Sequence, residues 1–248
     1  MWDFETEPEY QAKLDWADAF VRAEVEPLDH IIDRPSNIRD PLFRQLVPPL
    51  QEKVKAKGLW ATHLGPELGG PGDGQMHLAL LNEILGRCKM GPMVFGCAAP
   101  DTGNAEILAH YGTPEQKERW LKPIMNDEFR TCYSMTEPHA GSDPGMFRTR
   151  AWRDGDGWML EGYKWFSSYG DEAKLLIVMA VTNPEAPLTE RASMFLVPRE
   201  TPGIEIIRNV GQLGEAMGEG DHAYIHYNKV RLPPVSYTHL TLPTILRV

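Results

Sequence analysis

Cysteine is scarce in this chain. There are three, Cys88, Cys97 and Cys132, an odd number with no CxxC pair. That excludes a disulfide framework, argues against zinc, and predicts reduced, mostly buried thiols in a reducing compartment, the cytoplasm by default. Long apolar runs are also missing, so no segment reads as a membrane span, which needs ~20 apolar residues. The opening MWDFETEPEY is neither basic nor apolar, so no signal peptide is expected. Positive charge is in deficit: 25 Lys and Arg face 35 Asp and Glu, for a net charge of -10. Such an acidic surface argues against nucleic acid and anionic membranes as main partners. The Gly/Pro-rich stretch from Gly65 to Gly74 lacks the GxGxxG spacing, and no long strand precedes it, so no Rossmann site is expected there. His222 and His226 lie four apart in a strand pattern, which reads as a surface pair and not a metal site.

What is present divides the chain by period. The 248 residues, 42% hydrophobic, suffice for one large or two small domains. Leu14, Ala17, Val21, Val25 and Leu28 follow helical spacing and predict an amphipathic helix over roughly Pro8 to Asp29. Asp33 to Asp40 reads as a loop. Phe43, Leu46, Val47, Leu50 and Val54 mark a second helix, which Pro48 and Pro49 should kink or split. Met76, Leu80, Ile84 and Cys88 give a third stripe. Met90 to Asn104 is rich in Gly, Ala and Pro, and a short helix should follow to Tyr111. Thr113 to Gln116, with Pro114 at the first helical position, reads as a capping box. Trp120, Leu121, Ile124 and Met125 give the helix after it a buried face.

At Phe129 the period becomes two. Arg148 to Arg153 and Trp158 to Tyr163 flank Asp154-Gly155-Asp156-Gly157 and predict a hairpin. Leu175 to Val181 is a β-branched, apolar run suited to a central strand. Met194 to Val197, Ile204 to Ile207 and Ala223 to Tyr227 read as further strands, with loops at Thr182 to Arg191 and Glu200 to Gly203. Two motifs stand where the helical and strand halves join: YSMTEPHAGSD, from Tyr133 to Asp143, and WFSS, from Trp165 to Ser168. Such a junction favours a ligand cleft.

The run TEPHAGSD, with KWFSS downstream, resembles the flavin-binding signature of the acyl-CoA dehydrogenase family. The stretches APDTGN (Ala99 to Asn104) and HAYIHYNKVRLP (His222 to Pro233) resemble one branch of it. The resemblance covers Glu9 to Pro233. It implies an α+β fold: a helical amino-terminal domain over residues 1–128, then a small antiparallel β-barrel-like middle domain over 129–234. The family's carboxy-terminal four-helix domain is absent. Residues 235–248, without an Asp or Glu, break that pattern and predict a non-native tail outside the folded unit.

The implied cofactor is FAD. A flavin enzyme leaves redox chemistry to its cofactor, so the protein must hold it, orient substrate and tune the ring by hydrogen bonds. By resemblance Tyr133, Met135 and Thr136 line the flavin, with Thr136 at the pyrimidine edge. The small-residue loop Pro138, Ala140, Gly141 and Ser142 suits phosphate oxygens, and the resemblance sets Ser142 at the flavin pyrophosphate and beside the CoA arm. Trp165 would cover one flavin face, and Ser167 would donate to flavin N5. Gly96, Ala99 and Gly103 correspond to the floor of the acyl pocket, and their small size predicts a roomy one. Glu137 and Asp143 read as structural and His139 as solvated. The family's catalytic base belongs to its third domain, so no catalytic residue is assigned.

The function implied is oxidation of an acyl-CoA to the trans-2-enoyl-CoA. An electron-transfer flavoprotein is the implied acceptor, and a homo-oligomer the implied parent. The alternatives are a flavin oxidase or monooxygenase on the same fold, or a non-catalytic fragment without stable flavin binding; fold does not decide among them.

Overall fold

A computed structural model describes residues 5–35, 37–211 and 220–241. The chain forms two compact units, residues 1–106 and 107–248.

The first unit is helical. Helix α1 (Pro8–Phe20) runs on through a wide π turn at Val21–Val25 and a 3-10 turn at Glu26–His30. The predicted stripe is its buried face: Leu14, Ala17, Val21, Val25 and Leu28 all enter the core, joined by Tyr10 and Phe20. Removing each large side chain from water contributes about 1.5–3 kcal/mol, which sets the orientation of the run. Helix α2 (Pro41–Ala56) starts at Asp40, whose carboxylate accepts from the amides of Leu42 and Phe43. Pro48 and Pro49 do not split it. Each removes one backbone donor, but the stripe Phe43, Val47, Leu50 and Val54 is buried without a break. Buried Gln51 adds a bond to the Met93 carbonyl at 3.2 Å.

Helix α3 (Gln75–Leu85) and the turn after it keep the predicted stripe at Leu80, Ile84 and Cys88 and correct it at Met76. Met76 is 78% exposed, and the buried residues are Leu81, Ile84, Leu85 and Cys88. The Gly/Ala/Pro-rich stretch is more ordered than its composition predicts. It holds a short helix α4 (Gly91–Val94), and α5 (Asp101–Tyr111) begins before Asn104.

The second unit opens with the rest of α5. A helical run follows through α6 (Pro114–Gln116), a π turn at Lys117–Leu121 and α7 (Lys122–Met125). The Thr113–Gln116 capping box forms in both directions. Trp120 and Ile124 are buried; Leu121 and Met125 are half-buried. Compactness therefore groups residues 107–128 with the strands, whereas the change of period places a boundary at 128/129.

Among the described residues eight strands then form one sheet: β1 (Thr131–Ser134), β2 (Arg150–Asp154), β3 (Gly157–Ser168), β4 (Leu175–Val181), β5 (Ala192–Pro198), β6 (Ile204–Val210), β7 (His222–Leu232) and β8 (Tyr237–Thr241). The order is β6-β7-β3-β2-β4-β5-β8, with β1 beside β4 off that path. Pairing is antiparallel except where β1 and the first residue of β2 meet β4. A short helix α8 (Leu188–Arg191) sits in the loop before β5. Strand β4 is buried on both faces, hence its unbroken apolar run. In β7, Ala223, Ile225 and Tyr227 face the core while Tyr224 and His226 face outward. The predicted hairpin is present, closed at Asp154 and Gly157 around Gly155, whose φ is +63°.

The composition break at Val235 predicts a segment outside the fold, yet the chain continues into the sheet. Phe195 of β5 pairs with Tyr237, and the Tyr237 ring stacks on Trp158 at 5.2 Å and 7°. The Val235 carbonyl accepts from Gln116 Nε2 at 2.8 Å. The rest of that segment, 242–248, lies outside the described residues.

Among the described residues no helix is long and apolar enough to cross a membrane, and no group of three or more His, Cys, Asp or Glu could hold a metal ion.

Candidate functional site

Strand β1 ends at Ser134, and the TEPHAGSD loop leaves the sheet there. The loop is tied to β3 at one backbone bond: the Trp165 amide donates to the Thr136 carbonyl at 2.8 Å. The two motifs are thereby adjacent.

Below that bond lies an ion pair that sequence reasoning missed. Lys164 is fully buried and Glu137 is 3% exposed, and Lys164 Nζ is 2.9 Å from Glu137 Oε1. The same ammonium donates to the Met135 carbonyl at 2.6 Å and lies over the Phe147 ring. Glu137 also accepts from the amides of Arg148 at 2.7 Å and Thr149 at 3.0 Å. Its own backbone exchanges two hydrogen bonds with Ala140, closing the loop. Thr136 is therefore held from both neighbours and through its own carbonyl. Burial opposes ionisation of Glu137, but the Lys164 ammonium and the two amides outweigh it and hold the carboxyl below its ordinary value. Burial pushes Lys164 down to about 8, with Glu137 opposing, so both are charged at neutral pH. With both oxygens engaged, Glu137 is a structural anchor for the loop.

Thr149, which anchors the loop through its amide bond to Glu137, approaches β3 closely because Gly162 lacks a side chain. Its φ is +147°, and a Cβ there would lie 2.6 Å from the Thr149 Cα. The Thr149 hydroxyl then reaches the Tyr163 carbonyl at 3.2 Å. A cleft of about 370 Å³ opens beside this crossing, lined among others by Pro138, His139, Arg148, Tyr163 and Tyr224.

The WFSS run does not alternate as a regular strand should. Between Lys164 and Ser167 the pairing with β7 slips at a bulge, and Phe166 takes a left-handed conformation with φ +52°. Bulges re-aim side chains, and here the effect is clear. Lys164 and Ser167 are both fully buried. Phe166 is 51% exposed and Trp165 half-buried, the two rings stacked at 5.6 Å and 24°. Trp165 also stacks on Tyr224 at 5.2 Å. Ser167 Oγ lies 2.9 Å from Ser134 Oγ, which in turn accepts from the Tyr227 hydroxyl at 2.9 Å. The accessible hydroxyl is Ser168, half-buried, with its Oγ 2.9 Å from His222 Nδ1. Ser168 is a residue the sequence reading passed over. The resemblance selects Ser167, whereas the bulge between Lys164 and Ser167 turns that side chain into the core and leaves Ser168 at the outward position.

The other predicted residues fall as follows. Tyr133 and Met135 are half-buried, and burial pushes the Tyr133 hydroxyl up to about 12. Thr136 is half-buried; Gly141, Ser142 and Asp143 are exposed, with Asp143 accepting from the Gly145 amide at 2.8 Å. All these residues lie in the second unit. Gly96, Ala99 and Gly103 lie in the first unit. Gly96 is packed against Trp60, whose ring a Cβ would meet at 2.7 Å; Ala99 and Gly103 are exposed. None of the three lines the cleft described above.

The second-unit residues fit a flavin. The Phe166 and Trp165 rings offer a flat apolar surface, Thr136 and Ser168 offer hydroxyls, and Gly141 has open space on its Cβ side. Trp165 Nε1 is a buried donor with no partner among the described residues, which calls for an acceptor.

Two family models match the chain: the acyl-CoA dehydrogenase N-terminal domain over residues 7–128 and the acyl-CoA dehydrogenase middle domain over residues 132–230. Across 235 residues the sequence is 37% identical to FadE2 of Mycobacterium tuberculosis, assigned as an acyl-CoA dehydrogenase, covering 93% of this chain and 54% of that protein. It is 36% identical over 223 residues to acyl-CoA dehydrogenase family member 10 of Mus musculus, covering 86% of this chain and 21% of that protein. A solved structure described as an acyl-CoA dehydrogenase from Mycobacterium abscessus superposes with a TM-score of 0.82 at 34% identity, covering 95% of this chain and 61% of that one. The chain thus spans about half of one of these curated relatives and about a fifth of the other.

Proposed function

The chain belongs to the acyl-CoA dehydrogenase family, an oxidoreductase family, and on that premise we propose that it supplies the amino-terminal and middle domains of an FAD-dependent enzyme that oxidises an acyl-CoA thioester to the trans-2-enoyl-CoA. The observation that carries the reading is the 2.8 Å bond from the Trp165 amide to the Thr136 carbonyl, because it joins the two flavin motifs into one site.

Bound FAD supplies the two-electron acceptor. The protein's part is to hold and tune it. Thr136, fixed by Lys164 and Trp165, presents its hydroxyl to the pyrimidine edge. Phe166, backed by Trp165, provides the flat wall. In this reading Ser168 is the donor to the ring nitrogen, in place of Ser167, whose hydroxyl is committed to the core. The exposed Gly141–Ser142 loop takes phosphate oxygens of the flavin and the CoA arm. Tyr133 and Met135 line the ring, and Gly96, Ala99 and Gly103 remain the proposed acyl-pocket floor. No residue of 1–248 is assigned as the base for the α-proton: Glu137 is locked in its ion pair, and a general base must be free to take a proton within reach of substrate.

Residues 1–248 alone are therefore proposed to be inactive, since base catalysis is worth about 10²–10⁴ in rate. An electron-transfer flavoprotein is the proposed acceptor, and the full-length enzyme a homo-oligomer. The test is acyl-CoA-dependent dye reduction by the full-length protein with FAD, beside residues 1–248. Turnover by the first and not the second supports the reading. Equal turnover by both would place the base within these residues, and peroxide in place of dye reduction would assign an oxidase.

A further inference from the structure

Ser168 carries one hydroxyl proton, and its value as a donor depends on where that proton points. The residue with its polar atom in contact is His222, the first of β7, paired in register with Ser168 across the sheet. Nδ1 of His222 is 2.9 Å from Ser168 Oγ, and its ring meets the exposed Phe166 edge-on at 6.1 Å. Two arrangements satisfy that contact. If Nδ1 accepts, the Ser168 proton is spent on the imidazole and the hydroxyl has nothing to donate outward. If Nδ1–H donates, it fills one lone pair of Oγ, and the serine proton is free to turn toward a ligand. A hydroxyl that accepts a hydrogen bond is also a stronger donor itself.

We infer that His222 is a positioning residue: its Nδ1–H donates to Ser168 Oγ, fixes the hydroxyl rotor, and turns the serine proton toward the flavin. The inference rests on the FAD reading above and deepens it. It adds a residue from β7, outside both sequence motifs, and it gives the His222–Ser168 contact a purpose that a surface histidine lacks. The bulge in β3 is what makes it possible. Without the slip between Lys164 and Ser167, Ser167 and not Ser168 would share a face with the outward aromatics. Phe166 and Ser168 flank the buried Ser167, and His222 touches both.

A donor at the ring nitrogen favours reduced flavin, because that nitrogen gains electron density on reduction. Weakening the donor lowers the midpoint potential, a readout independent of turnover. The experiment measures the potential of bound FAD in the full-length protein and in four variants: His222→Phe, His222→Asn, Ser168→Ala, and Ser168→Ala with His222→Phe. Phenylalanine keeps the ring against Phe166 but has no donor. The asparagine amide nitrogen occupies the place of Nδ1 and can donate.

The expected result is that His222→Phe shifts the oxidised-to-reduced equilibrium about 3- to 10-fold, or about 15–30 mV downward at 29.6 mV per tenfold for two electrons. His222→Asn should restore the parent value. In the Ser168→Ala background, His222→Phe should add nothing, because the group it positions is gone. A His222→Phe protein with the parent potential would overturn the inference and leave the FAD reading intact, as would an undiminished His222→Phe shift in the Ser168→Ala background. Should His222→Phe fail to fold, His222→Gln, whose amide donor reaches the Nε2 position instead, decides: a parent potential there overturns the inference. A full-length parent protein that neither purifies with FAD nor takes it up would sink the FAD reading, and this inference with it.

Discussion

At the scale of single residues, the site rests on one buried ion pair and two serines with opposite fates. Removing one member of a buried pair costs about 3–5 kcal/mol, chiefly because the other is left uncompensated. Glu137→Gln should therefore destabilise the chain by roughly that amount at neutral pH, and the loss should depend on pH with a fixed sign. The folded-state value of Glu137 lies below its ordinary 4.5. Its contribution is complete above that value and is lost as pH falls through the folded-state one. Denaturation of parent and variant should converge as pH drops below about 4.5; a gap that widens in acid would assign the stabilisation elsewhere. The serines separate stability from chemistry. Ser167→Ala removes the Ser134–Ser167 hydrogen bond from the core, while Ser134 keeps the one from Tyr227, and should cost about 0.5–1.5 kcal/mol of stability. Ser168→Ala should instead slow flavin reduction by about 10- to 150-fold, the rate equivalent of a lost hydrogen bond to a charged group. Stopped-flow reduction and thermal melts of the two variants check this, and interchanged effects would return the donor role to Ser167. Little of this was legible in sequence. Glu137 reads as structural in the sequence, but its partner does not show there: nothing in the two residue types marks Lys164 and Glu137 as a buried pair.

At the scale of elements, period and turn chemistry carried most of the fold. Strand β4 begins and ends where its apolar run does, and the first helix buries the stripe its spacing predicts. Three features escaped, each for a physical reason. Helix α2 keeps Pro48 and Pro49 because packing of its buried stripe outweighs the lost donors. Met76 is flexible and apolar enough to fit a helical stripe on paper, yet it sits at the exposed start of α3. The bulge in β3 has no residue signature, since WFSS alternates equally well in either register. Gly162 offers a test of how tightly β3 holds the loop. Ala there would meet the Thr149 Cα and adopt an unfavourable φ, so Gly162→Ala should cost about 1–3 kcal/mol. It should also loosen the Glu137–Thr149 bond. Urea denaturation measures the first effect, and an unchanged midpoint would mean the backbone has slack at this crossing.

At the scale of the whole molecule, an acidic chain forms a helical unit and a sheet unit, and the proposed flavin contacts are confined to the second. Gly96, Ala99 and Gly103, the proposed acyl-pocket floor, belong to the first. The segment after Pro234 was the least legible. Its composition signals a foreign tail, but Tyr237 finds Trp158 and Phe195 on the sheet. Tyr237→Ala should lower stability by about 3–5 kcal/mol, the cost of truncating a packed aromatic, and an unchanged melting curve would put the segment outside the fold. The measurement that bears most directly on the central claim is anaerobic titration of the full-length protein, loaded with FAD, with an acyl-CoA series. The account predicts bleaching of the oxidised-flavin absorbance in stoichiometric proportion to acyl-CoA, with the trans-2-enoyl-CoA as product and long or bulky acyl chains more effective than butyryl. A protein that binds FAD but keeps its flavin oxidised with every acyl-CoA offered would contradict it.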